Sequence, residues 1–258
     1  MIASLFLVAT SILSVGEPQP EITAIIAPRE AKSQPVRLRT EDKQDLSGRY
    51  FAPSKKGKGR APAALLIHDE GSCGQPMDAL AAYLQKKGFG VLVLDLRGHG
   101  SSVGEKMDWE TADPKERKAL WAFAAKDVSA GALFLRKQSE LHASNLTLIG
   151  TGAGAALVVR HAIDDDATQA VILIDPVKDA QGFDVMKGVG KLGGLPTFIL
   201  APKAAKKTVT AIQASAHKAN NDYEFVEISY LSSKSDVILE DKKLGNFAYS
   251  WLKDQVMN

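Results

Sequence analysis

The sequence holds a single cysteine, Cys73, in 258 residues. No internal disulfide can form, so the fold must rest on its core alone. Net charge is also nearly absent: 32 Lys and Arg stand against 30 Asp and Glu, formally +2. No basic stripe interleaved with aromatics and no zinc-type spacing occurs, which excludes the common nucleic-acid-binding designs. The KKGKGR patch at 55–60 is short and glycine-diluted, and it reads as a solvated loop. The five histidines include no pair at metal-ligand spacing. His68, Asp69, Glu70 and Cys73 lie near one another, but adjacent residues on an extended chain point different ways and no second cluster completes a shell. Neither a metal nor a cofactor is therefore expected.

No apolar run reaches the roughly 20 residues of a membrane-spanning helix. The uncharged stretch Ile2–Val15 is 14 residues long and is followed by Gly16. It reads as a secretory signal peptide over 1–16, with a mature start near Glu17. Export to the periplasm or the extracellular space is the expectation, leaving no stable membrane span after cleavage. Residues 17–34 are rich in proline and polar side chains and read as a linker, and 35–258 read as one folded domain.

What is present is a core. Apolar residues make up 45% of the chain, enough at this length for one sizeable domain. Val36–Thr40 alternates like an edge strand, and Leu46–Ala52 reads as a second strand beside it. From residue 62 short buried runs alternate with helical periods: strands at 63–67, 91–94, 146–149, 170–174, 197–200 and 225–230, with helices between them and a closing helix through 244–252. Pro114–Gln138 reads as helical with a break, and the glycine-rich 177–194 as a long loop. This is an α/β pattern: about eight mostly parallel strands, the first pair antiparallel, with helices on both faces.

The chain is organised around 145–164, NLTLIGTGAGAALVVRHAID. A strand runs into Gly150-Thr151-Gly152-Ala153-Gly154 and then into a helix. Strand, sharp turn, helix is the frame of a G-x-S-x-G nucleophile elbow with glycine in the serine's place. The same glycines also fit G-x-G-x-x-A, with Asp175 ending the next strand, so a dinucleotide-binding reading stands as one alternative. That fingerprint belongs on the first strand of its domain, whereas several α/β units precede it here.

With LLIHDEGS (65–72), FGVLVLDLRGHGSS (89–102), LTLIGTGAGAAL (146–157), VILIDP (171–176), LPTFILAP (195–202) and EFVEISYLSSKSD (224–236) in order, the chain resembles the α/β-hydrolase superfamily. It is most similar to its compact bacterial serine-esterase and dienelactone-hydrolase-like members. The resemblance implies a nucleophile, an acid and a histidine, in that order. It maps them to Gly152, to Ala204 or Ala205 (Ala205 being taken here), and to Lys234, none of which can do that work. It implies oxyanion-hole donors at Ala153 and in the loop of Asp69 and Glu70, where two carboxylates bring negative charge towards a site meant for a negative oxygen. His68 would support that loop. Asp95, Arg97 and His99 would pin the next one.

The resulting expectation is a non-catalytic hydrolase-fold protein, or pseudohydrolase, whose former active-site pocket serves ligand binding or scaffolding. His68 and Lys234 are its candidate binding residues. Lys234 would meet a small anionic ligand at the start of the elbow helix, or the carboxylates of Asp69 and Glu70, or would simply point to water; a protein partner is the other candidate for the pocket. The alternative is a weak carboxylic-ester or lactone hydrolase with a displaced nucleophile.

Overall fold

The computed structural model describes residues 33–54, 59–104 and 107–257. The expected signal segment and nearly all of the linker lie outside these residues. Ten strands occur in chain order: β1 (Gln34–Arg39), β2 (Asp45–Phe51), β3 (Ala61–Ile67), β4 (Gly90–Leu94), β5 (Leu141–Thr151), β6 (Thr168–Ile174), β7 (Asp179–Ala180), β8 (Phe183–Asp184), β9 (Thr197–Pro202) and β10 (Val226–Leu231). Eight form one sheet in the order β1-β2-β4-β3-β5-β6-β9-β10. β1 and β2 pair antiparallel, as do β2 and β4. Within this sheet the pairings β4-β3, β3-β5, β5-β6, β6-β9 and β9-β10 are all parallel.

The helices are α1 (Asp78–Lys86), α2 (Pro114–Phe123), α3 (Ala125–Arg136), α4 (Gly154–Ile163), α5 (Val185–Gly190), α6 (Lys206–Ala219) and α7 (Leu244–Val256). They cover both faces of the sheet, dividing the core in two. One layer sets Val128, Leu157, Val158, Val209 and Ile212 against Leu65, Leu92 and Leu148. The other sets Leu80, Leu84, Leu244, Ala248 and Leu252 against Leu66, Val91 and Ile172. Strands buried on both faces read as unbroken apolar runs, which is why β3, β4 and β6 were legible without alternation.

The break in the long helical stretch falls at Ala124, between α2 and α3. Asp113 starts α2 by accepting from the N–H groups of Lys115 and Glu116, while Glu116 reaches back to the Asp113 N–H. This reciprocal capping satisfies donors that the first turn would otherwise leave unpaired.

Two local expectations are corrected. β5 extends to Leu141, well upstream of Leu146, because Leu141 pairs with Ala61 across an irregular register. Its exposed segment His142–Ser144 holds no large apolar residue, which hid the strand from an apolar pattern. Residues 177–194 are not a plain loop: they hold the β7–β8 hairpin and α5. Asp184 caps α5 by accepting from the Lys187 N–H, and Val185 and Val189 are buried. Gly188 packs so closely on Phe183 and Val159 that a Cβ there would force these side chains to shift. The glycines that suggested a loop are in part there for close packing.

Candidate functional site

Each elbow glycine meets a separate constraint. A Cβ on Gly150 would strike the start of α4, and one on Gly154 would strike the end of β3 at Ile67 and His68. These two allow the helix to sit tightly on the sheet. Gly152 makes the turn at φ +55°, a left-handed conformation that is costly for a residue with a Cβ. Its N–H is held by the Ile174 carbonyl at 3.0 Å.

The space in front of Gly152 is filled. A Cβ built there would overlap the carboxyl carbon and both oxygens of Asp69. This carboxylate comes from the loop after β3 and stands where a residue at 152 would carry its side chain. Asp69 Oδ1 accepts from the Ala153 N–H at 2.6 Å and from the Glu70 N–H at 2.8 Å. An oxyanion hole is two backbone N–H groups converging on one oxygen, and here that oxygen belongs to the protein itself. Burial pushes the Asp69 carboxyl above its ordinary value, and the two N–H groups oppose the shift.

The loop carrying Asp69 is tied from behind. His68 is 1% exposed. Its Nδ1 lies 2.6 Å from the Asp69 carbonyl, and its Nε2 accepts from the Leu96 N–H at 3.0 Å. A carbonyl only accepts, so the proton sits on Nδ1 and the ring is neutral. Burial lowers its pKa to about 4. His99 packs on Trp109 with ring centres 4.7 Å apart and the planes tilted by 31°. Its Nε2 accepts from the Gly71 N–H at 3.3 Å. Asp95 accepts from the N–H groups of Gly74 and Ser101 at 2.8 and 3.0 Å. Arg97 is clamped between Asp127 and Asp42, at 2.6 and 2.8 Å.

Of the sequence-derived site residues, the structure brings together His68, Asp69, Glu70, Gly152 and Ala153. Ala205 ends a 3-10 turn before α6 and packs on the core. Lys234 lies just before the 3-10 segment Ser235–Glu240 and is exposed. Among the described residues neither is tied to the elbow by a hydrogen bond or ion pair. The start of α4, where an anion or a dinucleotide phosphate would bind, is met by Asp69. Glu70 accepts from Gln181 Nε2 at 2.7 Å, which ties the β7–β8 hairpin to the same loop.

A cavity of about 540 Å³ opens beside this cluster. His68, Asp69, Ser72 and Thr151 form one side, and Asp236 to Glu240 form the other. Sequence reading left Thr151 as a residue of the turn and passed over Asp236 and Glu240. Thr151 could have been found as the only hydroxyl in the turn; the other two carry no local signal.

Residues 62–224 match a family model described as serine aminopeptidase, S33. Protein phosphatase methylesterase 1 of Candida albicans is 26% identical over 156 residues, covering 58% of this chain and 36% of that protein. The aligned part thus spans about a third of that curated relative's length. The esterase Pf2001 of Pyrococcus furiosus superposes with a TM-score of 0.66 at 16% identity, covering 87% of this chain and 93% of its own. The α/β hydrolase GrgF of Penicillium sp. sh18 gives 0.71 at 14% identity, covering 88% and 100%. At these identities the two solved structures speak for the fold alone.

Proposed function

The chain belongs to the hydrolase family described as serine aminopeptidase, S33, and from that premise we propose that it is a member without hydrolytic chemistry. It keeps the cleft for binding a ligand or a partner. One observation carries this reading: the Asp69 carboxylate fills the space before Gly152 and takes the N–H groups of Ala153 and Glu70. Ester hydrolysis of the kind named for the methylesterase and esterase relatives needs a nucleophile, a base and free oxyanion donors. Here position 152 has no side chain, the donors are engaged, and both ring nitrogens of His68 are bonded to backbone. Loss of nucleophile or base alone costs on the order of 10⁶ in turnover. We also infer from Ile2–Val15 that the protein is exported, which mass determination of the mature amino terminus near Glu17 checks.

The test is turnover of p-nitrophenyl acetate together with fluorophosphonate labelling of the full chain. The expected result is no saturable turnover and no label. Saturable turnover abolished by Asp69→Asn would overturn the reading and make Asp69 a displaced nucleophile, since its carboxylate stands in that place.

A further inference from the structure

The cavity beside the elbow has an unusual chemical lining. Among the described residues three carboxylates border it, Asp69, Asp236 and Glu240, and no Lys or Arg does. His68, the one basic side chain present, is neutral. Pro76, Val237, Ile238 and Leu239 supply apolar surface. An empty ring of acids would by itself mean little, because exposed carboxylates are stable in water.

Thr151 is a separate observation. It is 7% exposed and lines the cavity, yet its hydroxyl has no hydrogen-bond partner among the described residues. Unlike the Thr147 hydroxyl, which is sealed off without a partner, it is reached from the cavity and so is open to a ligand there. Beside it Asp69 uses only Oδ1; Oδ2 takes no hydrogen bond from any described group. A carboxylate can only accept, and a threonine hydroxyl accepts as well as donates. Both residues line one space of ordinary ligand size, and each offers it an acceptor that no described donor takes.

We propose that this cavity binds a small organic cation, an ammonium or guanidinium group on a short apolar body. The inference rests on the cleft's being a binding site and names what it takes. The charged head donates to Asp69 Oδ2 and Thr151 Oγ1. The body lies on Val237 and Leu239, and Asp236 and Glu240 add attraction at the exposed side. An anion finds no cation among the described residues of the lining, and it would have to displace Asp69 from Ala153 to reach that N–H.

The experiment follows the backbone amide resonances of Thr151, Gly152 and Ala153 in the full chain. n-Hexylammonium, 1-hexanol and hexanoate are titrated at matched ionic strength. Hexylammonium is expected to shift these resonances saturably, and the other two not. Asp69→Asn, which keeps an acceptor for Ala153, weakens the binding about tenfold or more. Thr151→Val weakens it about three- to tenfold, and Asp236→Asn with Glu240→Gln about as much, less so in high salt. Hexanoate acting at lower concentration than hexylammonium overturns the proposal in favour of an anion site. Hexylammonium shifts unchanged in both Asp69→Asn and Thr151→Val overturn it too, as does the absence of any preference for the amine. Ester turnover on the same preparations separates the two readings. Turnover with intact amine binding sinks only the non-catalytic assignment, and no turnover with no amine preference sinks only the cation site.

Discussion

The two walls of the cleft are built differently. The wall made by loops 68–74 and 95–102 is wired into the core: His68, Asp95, Arg97 and His99 are all buried and all bonded to backbone or to a buried partner. The opposite wall, 232–241, is largely exposed. Asp241 holds its start by accepting from the Ser233 hydroxyl and N–H, and Ile238 alone in the segment Ser235–Glu240 is buried. By the resemblance to α/β hydrolases, the second wall is where the histidine would sit, whereas the first mainly supports the oxyanion loop. The supporting wall is rigid and the wall that would carry the histidine is loosely built, which fits the proposed binding cleft. A binding cleft needs one rigid reference surface, and the other wall can vary.

The largest effect should come from cutting the wired wall at its deepest ion pair. Arg97 and Asp127 have side chains 5% and 0% exposed, and Asp127 also accepts from the Arg97 N–H. Arg97→Met leaves a carboxylate buried with no countercharge. Removing one partner of such a pair costs about 3–5 kcal/mol, read as a fall in the urea midpoint. A loss below 1 kcal/mol would show the wall to be less tightly built than the geometry implies.

His68 sharpens the same point through pH. Its folded pKa is about 4, against 6.5 for a free side chain. Below 6.5 the unfolded chain takes up the proton and the folded chain does not. Its contribution is therefore full above pH 6.5 and is lost as pH falls towards 4, by about 3 kcal/mol in all. Asp69, with its pKa raised by burial, acts in the opposite sense: its folded carboxyl holds a proton longer, so stability falls as pH rises through its range. The difference between the native chain and His68→Gln isolates the histidine. The variant should lose the slope between pH 6.5 and 4 in urea titrations, and an unchanged slope would mean that some other group is responsible.

How far this was legible in sequence differs between the walls for a physical reason. The sheet, the elbow and the helix after it could be read because apolar runs and glycine spacing are local signals. The positions of Gly152, Ala153, Asp69 and Glu70 followed from the resemblance. That Asp69 folds back onto Ala153, 84 residues away, could not be read, because a side chain's direction is set by tertiary packing. Lys234 invited an inward reading by its place after the last strand. It is exposed because Ser235–Glu240 turns as a 3-10 segment and buries Ile238 instead.

The seam between the walls gives the third test. Gly152→Ser places a side chain at a positive φ and against Asp69. Strain at such a position is about 1–3 kcal/mol, and the overlap adds to it. Asp69→Gly clears the space, so the double variant should recover part of the loss, with a coupling of about 0.5–3 kcal/mol in a double-mutant cycle. Any attempt to rebuild a triad with Gly152→Ser, Ala205→Asp and Lys234→His must therefore include Asp69→Gly. Additive effects would mean that Asp69 does not occupy that space in solution.

The smallest effect belongs to the loose wall, and it tests the comparison from the other side. Lys234 is exposed and has no ion pair among the described residues, so Lys234→Ala should change stability by less than about 0.5 kcal/mol. It should also leave the amide resonances of Gly152 and Ala153 in place. Its former role as a candidate partner for Asp69 makes this informative. If the ammonium swings inward in solution, it competes with Ala153 for Asp69, and its removal must shift the Ala153 resonance. A shift of that kind, with a stability loss above about 1 kcal/mol, would mean that the second wall is tied to the first, and the contrast between them would fail.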